Sequence, residues 1–262
     1  GPRRLFDTAD EEEMALFLSE KDVEELLTVP LVIEAVEAAH RELSSGQACD
    51  IPRQRTRLPQ TTLHVLQGAL PGLDAIGYKA YTSNRSGVRF LVYLYSASTG
   101  RLRAVVEADR LGMMRTGAAS AVATRWLARP DAQVAGVFGA GWQAEGHIEA
   151  IAAVCPLRRV KVYARRSERL LAFCARLSER LGIEVAAAAS PEDAVRDSDI
   201  VSTVTTSATP LFDADWLSPG THINAAGSNS LIRRELGEDV LKRCSPIVVD
   251  SIETALREAG DL

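Results

Sequence analysis

Apolar residues between Ser19 and Gly46 fall three and four apart, with Leu31, Ala35, Val36, Ala39 and Leu43 on one stripe, and predict a helical stretch. Thr28 ahead of Pro30 reads as a cap within it, and Gly46 as its stop. From Ile51 to about Arg103 the period shortens to that of strands. LHVLQGA, IGYKAY and RFLVYLYS follow one another and end in the turn STG. A helix followed by an antiparallel meander makes this front part α+β. At Asp109 the pattern changes again: DRLGMMRTGAASAVATRWLARPD reads as one long helix rich in Gly, Ala and Ser, stopped at Pro130.

Beyond Pro130 the chain alternates strand and helix. QVAGVFG leads into a helix from Trp142 to Val154, RVKVYA into one from Ser167 to Leu181, and IEVAAA into a short helix capped by Ser190 before Pro191. DIVSTVT, THINAAG and PIVVD complete a set of six expected strands, the rhythm of a doubly wound parallel sheet. The expected fold class is therefore α/β, a Rossmann sheet plus an α+β domain. The expected division is 3–115 and 116–262, inside the Gly/Ala-rich helix.

The 262 residues, 46% hydrophobic, are enough to bury one or two cores. A net charge of −5 with no basic block argues against nucleic acid as a partner. Cys49, Cys155, Cys174 and Cys244 form no CxxC pair and stand at no metal-ligand spacing with His, so reduced, packed thiols in a cytoplasmic protein and no metal are expected. No apolar run reaches membrane-helix length, so no membrane partner is expected. Gly1-Pro2 reads as the remnant of a protease site and is set aside.

Gly139-Ala140-Gly141-Trp142-Gln143-Ala144 follows a strand and opens a helix, the setting in which GxGxxG/A has meaning. The first glycine makes the tight turn, the second admits a pyrophosphate against the backbone, and Ala144 keeps the helix close to the strand. A dinucleotide site follows. At the end of the next strand an NAD site normally carries an acid for the ribose hydroxyls; here Ala164 is followed by Arg165, Arg166 and Ser167. Two guanidiniums and a hydroxyl suit a 2′-phosphate, so NADP(H) is favoured and NAD(H) stays open. The later strand ends offer Thr205 and Thr206, then Ala226, Gly227, Ser228 and Asn229, to the nicotinamide half.

Three cations in the front part are substrate candidates. Lys79 shares a strand face with Gly77 and Tyr81. Arg115, followed by Thr116, sits among Gly112, Gly117, Ala118 and Ala119 with no acid at i±3 or i±4, and a planar guanidinium so placed suits a carboxylate; the same small residues also suit packing against another helix. The third is an arginine of IPRQRTRLP, Arg53 or Arg55.

RTGAASAVATRWLARPDA, VFGAGWQAEGH, GYKAY, TPLFDADWLSPGTHINAAGS and VVDSIETALREAGDL together resemble the ornithine cyclodeaminase/mu-crystallin family. The resemblance implies a Rossmann domain inserted into an α+β dimerisation and substrate domain, a homodimer, and further C-terminal helices beyond GDL. It also makes Lys79, Arg115 and an early arginine the ligands of a substrate carboxylate, with Arg53 selected by an ungapped match and Arg55 by a small shift.

Two departures matter. Where cyclodeaminases follow INAAG with an Asp that acts on the substrate amine, this chain has Asn229; where they place a Glu in the early strand, it has His64. Mu-crystallin-like ketimine reductases share the first departure and the non-acidic second strand. The resemblance therefore implies NAD(P)H-dependent reduction of the C=N bond of a small imino acid or ketimine, with Lys79 or His64 giving the proton and Asn229 orienting substrate. The alternatives are an alanine-type or N-substituted amino-acid dehydrogenase, a cyclodeaminase, and a non-enzymatic NADPH-binding protein.

Overall fold

The computed structural model describes residues 3–4, 14–85, 87–165 and 167–262. The chain divides into two compact units, 1–115 and 116–262.

The first unit is a seven-stranded sheet with helices α1 (Glu20–Leu26) and α2 (Val29–Ser44). Its strands are β1 (Arg3–Arg4), β2 (Leu16–Leu18), β3 (Cys49–Arg57), β4 (Thr62–Leu70), β5 (Ala75–Asn84), β6 (Gly87–Ser96) and β7 (Leu102–Glu107), in the order β1-β2-β7-β6-β5-β4-β3. All neighbours are antiparallel except β2 and β7, which are parallel. The meander extends further than the hydrophobic pattern indicated. β3 is an edge strand with alternating polar residues, and hydrophobicity alone gave it no signal.

Two helices stand where the apolar period predicts one continuous stretch. Thr28 accepts a hydrogen bond from the Leu31 N–H at 3.4 Å and opens α2, while Gly46 takes a φ of +72° just past its end. The expected stripe holds in part: Val36, Ala39 and Leu43 are half-buried and Val32 and Ile33 buried, whereas Leu31 is 49% exposed. Val32 and Ile33 sit one and two positions on from Leu31, so the most buried side of α2 lies away from Leu31.

The long helix α3 (Asp109–Leu127) begins in the first unit, and the division into units falls within it. The Glu20 carboxylate accepts from the N–H groups of Asp109 and Arg110 at 2.6 and 3.1 Å, placing an anion at the positive end of the helix. Asp109 in turn accepts from the Phe90 N–H at 3.0 Å, which ties the helix start to β6.

The second unit is a five-stranded parallel sheet, made of β8 (Val134–Phe138), β9 (Arg159–Tyr163), β10 (Glu184–Ala187), β11 (Ile200–Thr203) and β12 (His222–Ala225). The order β10-β9-β8-β11-β12 reverses direction between β8 and β11, as in a Rossmann fold. Helices α4 (Trp142–Ala152), α5 (Ser167–Leu181) and α6 (Pro191–Val195) connect the strands, followed by α7 (Glu238–Arg243) and α8 (Ile252–Glu258).

Ile148, Ile151 and Leu177 from α4 and α5 pack on Val137, Val160 and Val162, and each such burial contributes about 1.5–3 kcal/mol. A second cluster around Phe138, Val201 and Phe212 packs with Val195 of α6 and Val240 of α7. Arg176 and Arg180 donate to the buried Glu145 and join α5 to α4.

The expected sixth strand, PIVVD, is not one. Ile247 and Val248 are 51% and 61% exposed, and this segment joins no ladder beyond β12. An apolar run forms a strand only when a neighbour offers its backbone groups.

Among the described residues, no helix is long and apolar enough to cross a membrane and no cluster of His, Cys, Asp or Glu could hold a metal ion.

Candidate active site

The dinucleotide loop joins β8 to α4. Gly139 has a φ of +115°, and a Cβ there would stand 2.8 Å from the Val204 carbonyl oxygen, so this turn requires glycine on both counts. Gly141 is different: a Cβ built on it meets nothing within 4 Å. The space in front of it is open, as a phosphate cradle requires.

Gly141 is also the N-cap of α4 and supplies no side-chain hydrogen bond to it. The first N–H groups of an eleven-residue helix therefore face that space without a side-chain cap. Ala144 is buried in the core against β8, which keeps helix and strand close. These residues fit a dinucleotide pyrophosphate.

Arg165 is exposed immediately after β9. Arg166 lies outside the described residues, and Ser167 opens α5. Of the later strand ends, Thr206 and Asn229 are exposed, and Ala226, Gly227 and Ser228 are half-buried. The Thr205 hydroxyl donates to Glu235 and accepts from the Ser207 N–H, so it already has two partners within the fold. Ser228 Oγ donates to the Arg233 carbonyl at 2.8 Å. Asn224, within β12 just ahead of these residues, is structural: it donates to Thr124 of α3 at 2.9 Å, and its Oδ1 lies 3.2 Å from His222 Nε2.

Of the candidate cations in the first unit, Lys79 and Arg55 share one sheet face and Arg115 lies on α3. Lys79 pairs across the ladder with Leu66 on one side and Val92 on the other. In the next same-face row Arg55, His64, Tyr81 and Phe90 line up over four strands. Arg53 reaches the Lys79 row through a β-bulge: Ile51 pairs with Gln67 and Gln54 with Val65, so Pro52 and Arg53 together face Leu66. Proline is tolerated there because β3 is an edge strand.

The Lys79 ammonium lies 5.7 Å from the Tyr81 ring and 5.4 Å from that of Phe90. Burial, and behind it the positive charges of Arg115 and Arg53, push its pKa down to about 7. Arg115 is exposed on α3, with Thr116 half-buried beside it. The small residues around it have a separate explanation, since a Cβ at Gly117 would meet the Gly146 carbonyl oxygen at 2.2 Å. Close packing of α3 on α4 thus accounts for that glycine.

His64 stacks on Tyr81 at 4.4 Å with its ring nearly parallel, and its Nε2 is 2.9 Å from Ser83 Oγ. The aromatic wall of Tyr81 and Phe90 was only half legible in the sequence. The alternation of β5 put Tyr81 beside Lys79, but Phe90 needed the register of β6.

A reversed-order parallel sheet with a glycine turn open to phosphate defines a dinucleotide-binding fold. The comparisons agree. The chain belongs to the ornithine cyclodeaminase/mu-crystallin family, which it matches over residues 13–262. It is 34% identical to a Delta(1)-pyrroline-2-carboxylate reductase of Bacillus cereus, over 94% of this chain and 78% of that protein. Among solved structures it resembles the Thermococcus litoralis Delta(1)-pyrroline-2-carboxylate reductase in complex with NADH and L-proline, with a TM-score of 0.88, 33% identity and coverage of 94% and 78%. An archaeal alanine dehydrogenase dimer with bound NAD has a TM-score of 0.87, 32% identity and coverage of 93% and 77%. The chain is an NAD(P)-dependent oxidoreductase.

Proposed function

We propose that this enzyme reduces the C=N bond of a small imino acid or cyclic ketimine to the corresponding amino acid, with NADPH as the favoured reductant. The observation that carries this reading is Lys79, a lysine brought to about 7 on a sheet face shared with Arg53. Arg115 and Arg53 hold the substrate carboxylate, a pairing that suits planar guanidiniums. Lys79 binds the same anion and can give up a proton near neutral pH.

A bound reduced dinucleotide supplies the hydride. The nitrogen of the reduced C=N bond needs a proton, which Lys79 would give unless the substrate entered as the iminium. His64, stacked on Tyr81 and bonded to Ser83, orients the aromatic wall beside Lys79 and is the second proton candidate. Asn229 contributes a neutral amide where a hydrolytic relative would need an acid, which favours reduction over cyclodeamination. The exposed Arg165 after β9, with no carboxylate from Ala164 to Ser167, favours NADPH over NADH.

The likeness to an alanine dehydrogenase favours a second reading, oxidative deamination of a small amino acid. Assay of pyrroline-2-carboxylate, piperideine-2-carboxylate, pyruvate with an amine, alanine, proline and ornithine, each with both cofactors, decides between them. Consumption of NADPH with the cyclic imino acids supports the proposal. Proline formation from ornithine without net cofactor change overturns it.

A further inference from the structure

One carboxylate near the strand ends has no part in that chemistry. Glu235 is fully buried. Its Oε1 accepts from both the N–H and the hydroxyl of Thr205, each at 2.6 Å, and its Oε2 accepts from the Gly227 N–H at 2.8 Å. Thr205 follows β11 and Gly227 follows β12, so a single side chain closes the carboxyl ends of two neighbouring parallel strands.

The approach is tight. A Cβ at residue 227 would lie 2.4 Å from Glu235 Oε2, so this carboxylate, and not a left-handed backbone angle, is what demands glycine there.

The backbone of Glu235 is fixed as well. Its N–H and that of Leu236 donate to Asp261 at 2.6 and 2.9 Å, and its carbonyl accepts from the Leu211 N–H at 2.8 Å. Burying a carboxylate is costly, and here three donated hydrogen bonds offset the cost while holding the charge at one point.

In open α/β sheets the ligand lies beyond the carboxyl ends of the strands. We infer that Glu235 is a positioning residue for the dinucleotide: it sets the two loops that receive the nicotinamide half, and its fixed negative charge favours the oxidised cofactor over the reduced one. This rests on the reading that the dinucleotide occupies that edge. The oxidised ring carries a positive charge that the reduced ring lacks, so a charge held in a poorly screened interior acts on one form selectively. Loss of a hydrogen bond alone loosens the loops for both forms alike.

The test is the pair of dissociation constants for NADP+ and NADPH. They can be measured through the fluorescence of Trp142 and by calorimetry, on the wild type, Glu235→Gln and Thr205→Val, each first checked for a cooperative thermal transition. Glu235→Gln keeps the shape but loses the charge and one acceptor; the lost bond weakens both forms, and the lost charge should weaken NADP+ binding roughly threefold to tenfold more than NADPH binding. Thr205→Val keeps the charge and loses the hydroxyl bond; it should weaken both forms together, with their ratio within about twofold of the wild type.

An unchanged ratio in Glu235→Gln, or a shifted ratio in Thr205→Val, overturns the inference. Should Glu235→Gln fail to fold, Thr205→Val decides alone, and binding of both forms at wild-type strength then counts against the clasp. A wild type that binds neither form refutes the dinucleotide site itself, a failure separate from an unaltered ratio.

Discussion

Arg53 shares the sheet row of Lys79 only because β3 bulges, setting Pro52 and Arg53 together against Leu66, whose other neighbour is Lys79. Like charges are thus built into one row of a partly buried face. Burial first, and then these charges together with Arg115, keep the lysine close to losing its proton at neutral pH.

The first prediction concerns pH. Below about 7 Lys79 is an ammonium, and above it an amine. Imine reduction consumes a proton, so kcat/KM for reduction should fall as pH rises through 7, and that for amino-acid oxidation should rise over the same range. Lys79→Arg cannot titrate there, and its profiles should lose this limb. Rate profiles in both directions from pH 5.5 to 9.5 check it.

Stability gives an independent reading of the same group. In the unfolded chain the lysine titrates near 10.5, so between 7 and 10.5 the unfolded state binds a proton that the native state lacks. Wild-type stability from this group therefore increases with pH across that window. Lys79→Met should be more stable than the wild type at pH 7 by about 1–2 kcal/mol, with the gain shrinking toward pH 10.5, and should lose activity by about a hundredfold or more. Urea melts at several pH values measure the first effect and turnover the second.

Arg53 and Arg115 should have a double signature. Replacing either with Met is expected to raise the substrate KM by about tenfold or more, through loss of a charge-assisted bond to carboxylate. Removal of a neighbouring cation should also move the alkaline limb of the rate profile to higher pH. Arg55→Met should leave that limb in place, since Arg55 lies in the His64 row. Equal shifts for Arg53 and Arg55 would reverse the assignment.

Asn229 tests the reaction type. Asn229→Asp combined with His64→Glu installs the two carboxylates that the family resemblance implies for a cyclodeaminase. The double variant should release ammonia from ornithine and lose at least about tenfold in imino-acid reduction. Absence of ammonia release would mean that Asn229 does not mark the reaction run.

Gly117→Ala probes the packing of α3. Its Cβ would stand 2.2 Å from the Gly146 carbonyl oxygen, so the helices must separate, at about 2–3 kcal/mol. A lowered urea midpoint at unchanged slope is the expected result.

Much of the second unit was legible in the sequence because β8, β9 and β11 are short, buried apolar runs and each connecting helix has a cap or a period of its own. PIVVD shows where that reasoning ends: its residues are as apolar as those of β9, but pairing is a property of two segments, and among the described residues it joins no ladder. The first unit was harder. β3 is polar because one face bears charges, and the bulge that moves Arg53 into place depends on register, which a single strand does not encode. Lys79 was visible as a candidate from its strand face, but its low pKa comes from burial and, behind it, from two arginines distant in sequence, none of which a single strand encodes. Glu235 was visible only as the first acid after a run without one; its contacts with Thr205 and Gly227 join loops 30 and 8 residues away.

The bulge at Pro52 lies on an edge strand, where one residue can be gained or lost without breaking a ladder on the outer side. Shortening β3 by that residue would restore plain alternation and leave the pairing from Gln54 to Arg57 intact. The same sheet could then present a different arginine, or none, to Lys79. Substrate range in such a scaffold can change through the length of one strand, with no substitution among the residues that touch the substrate.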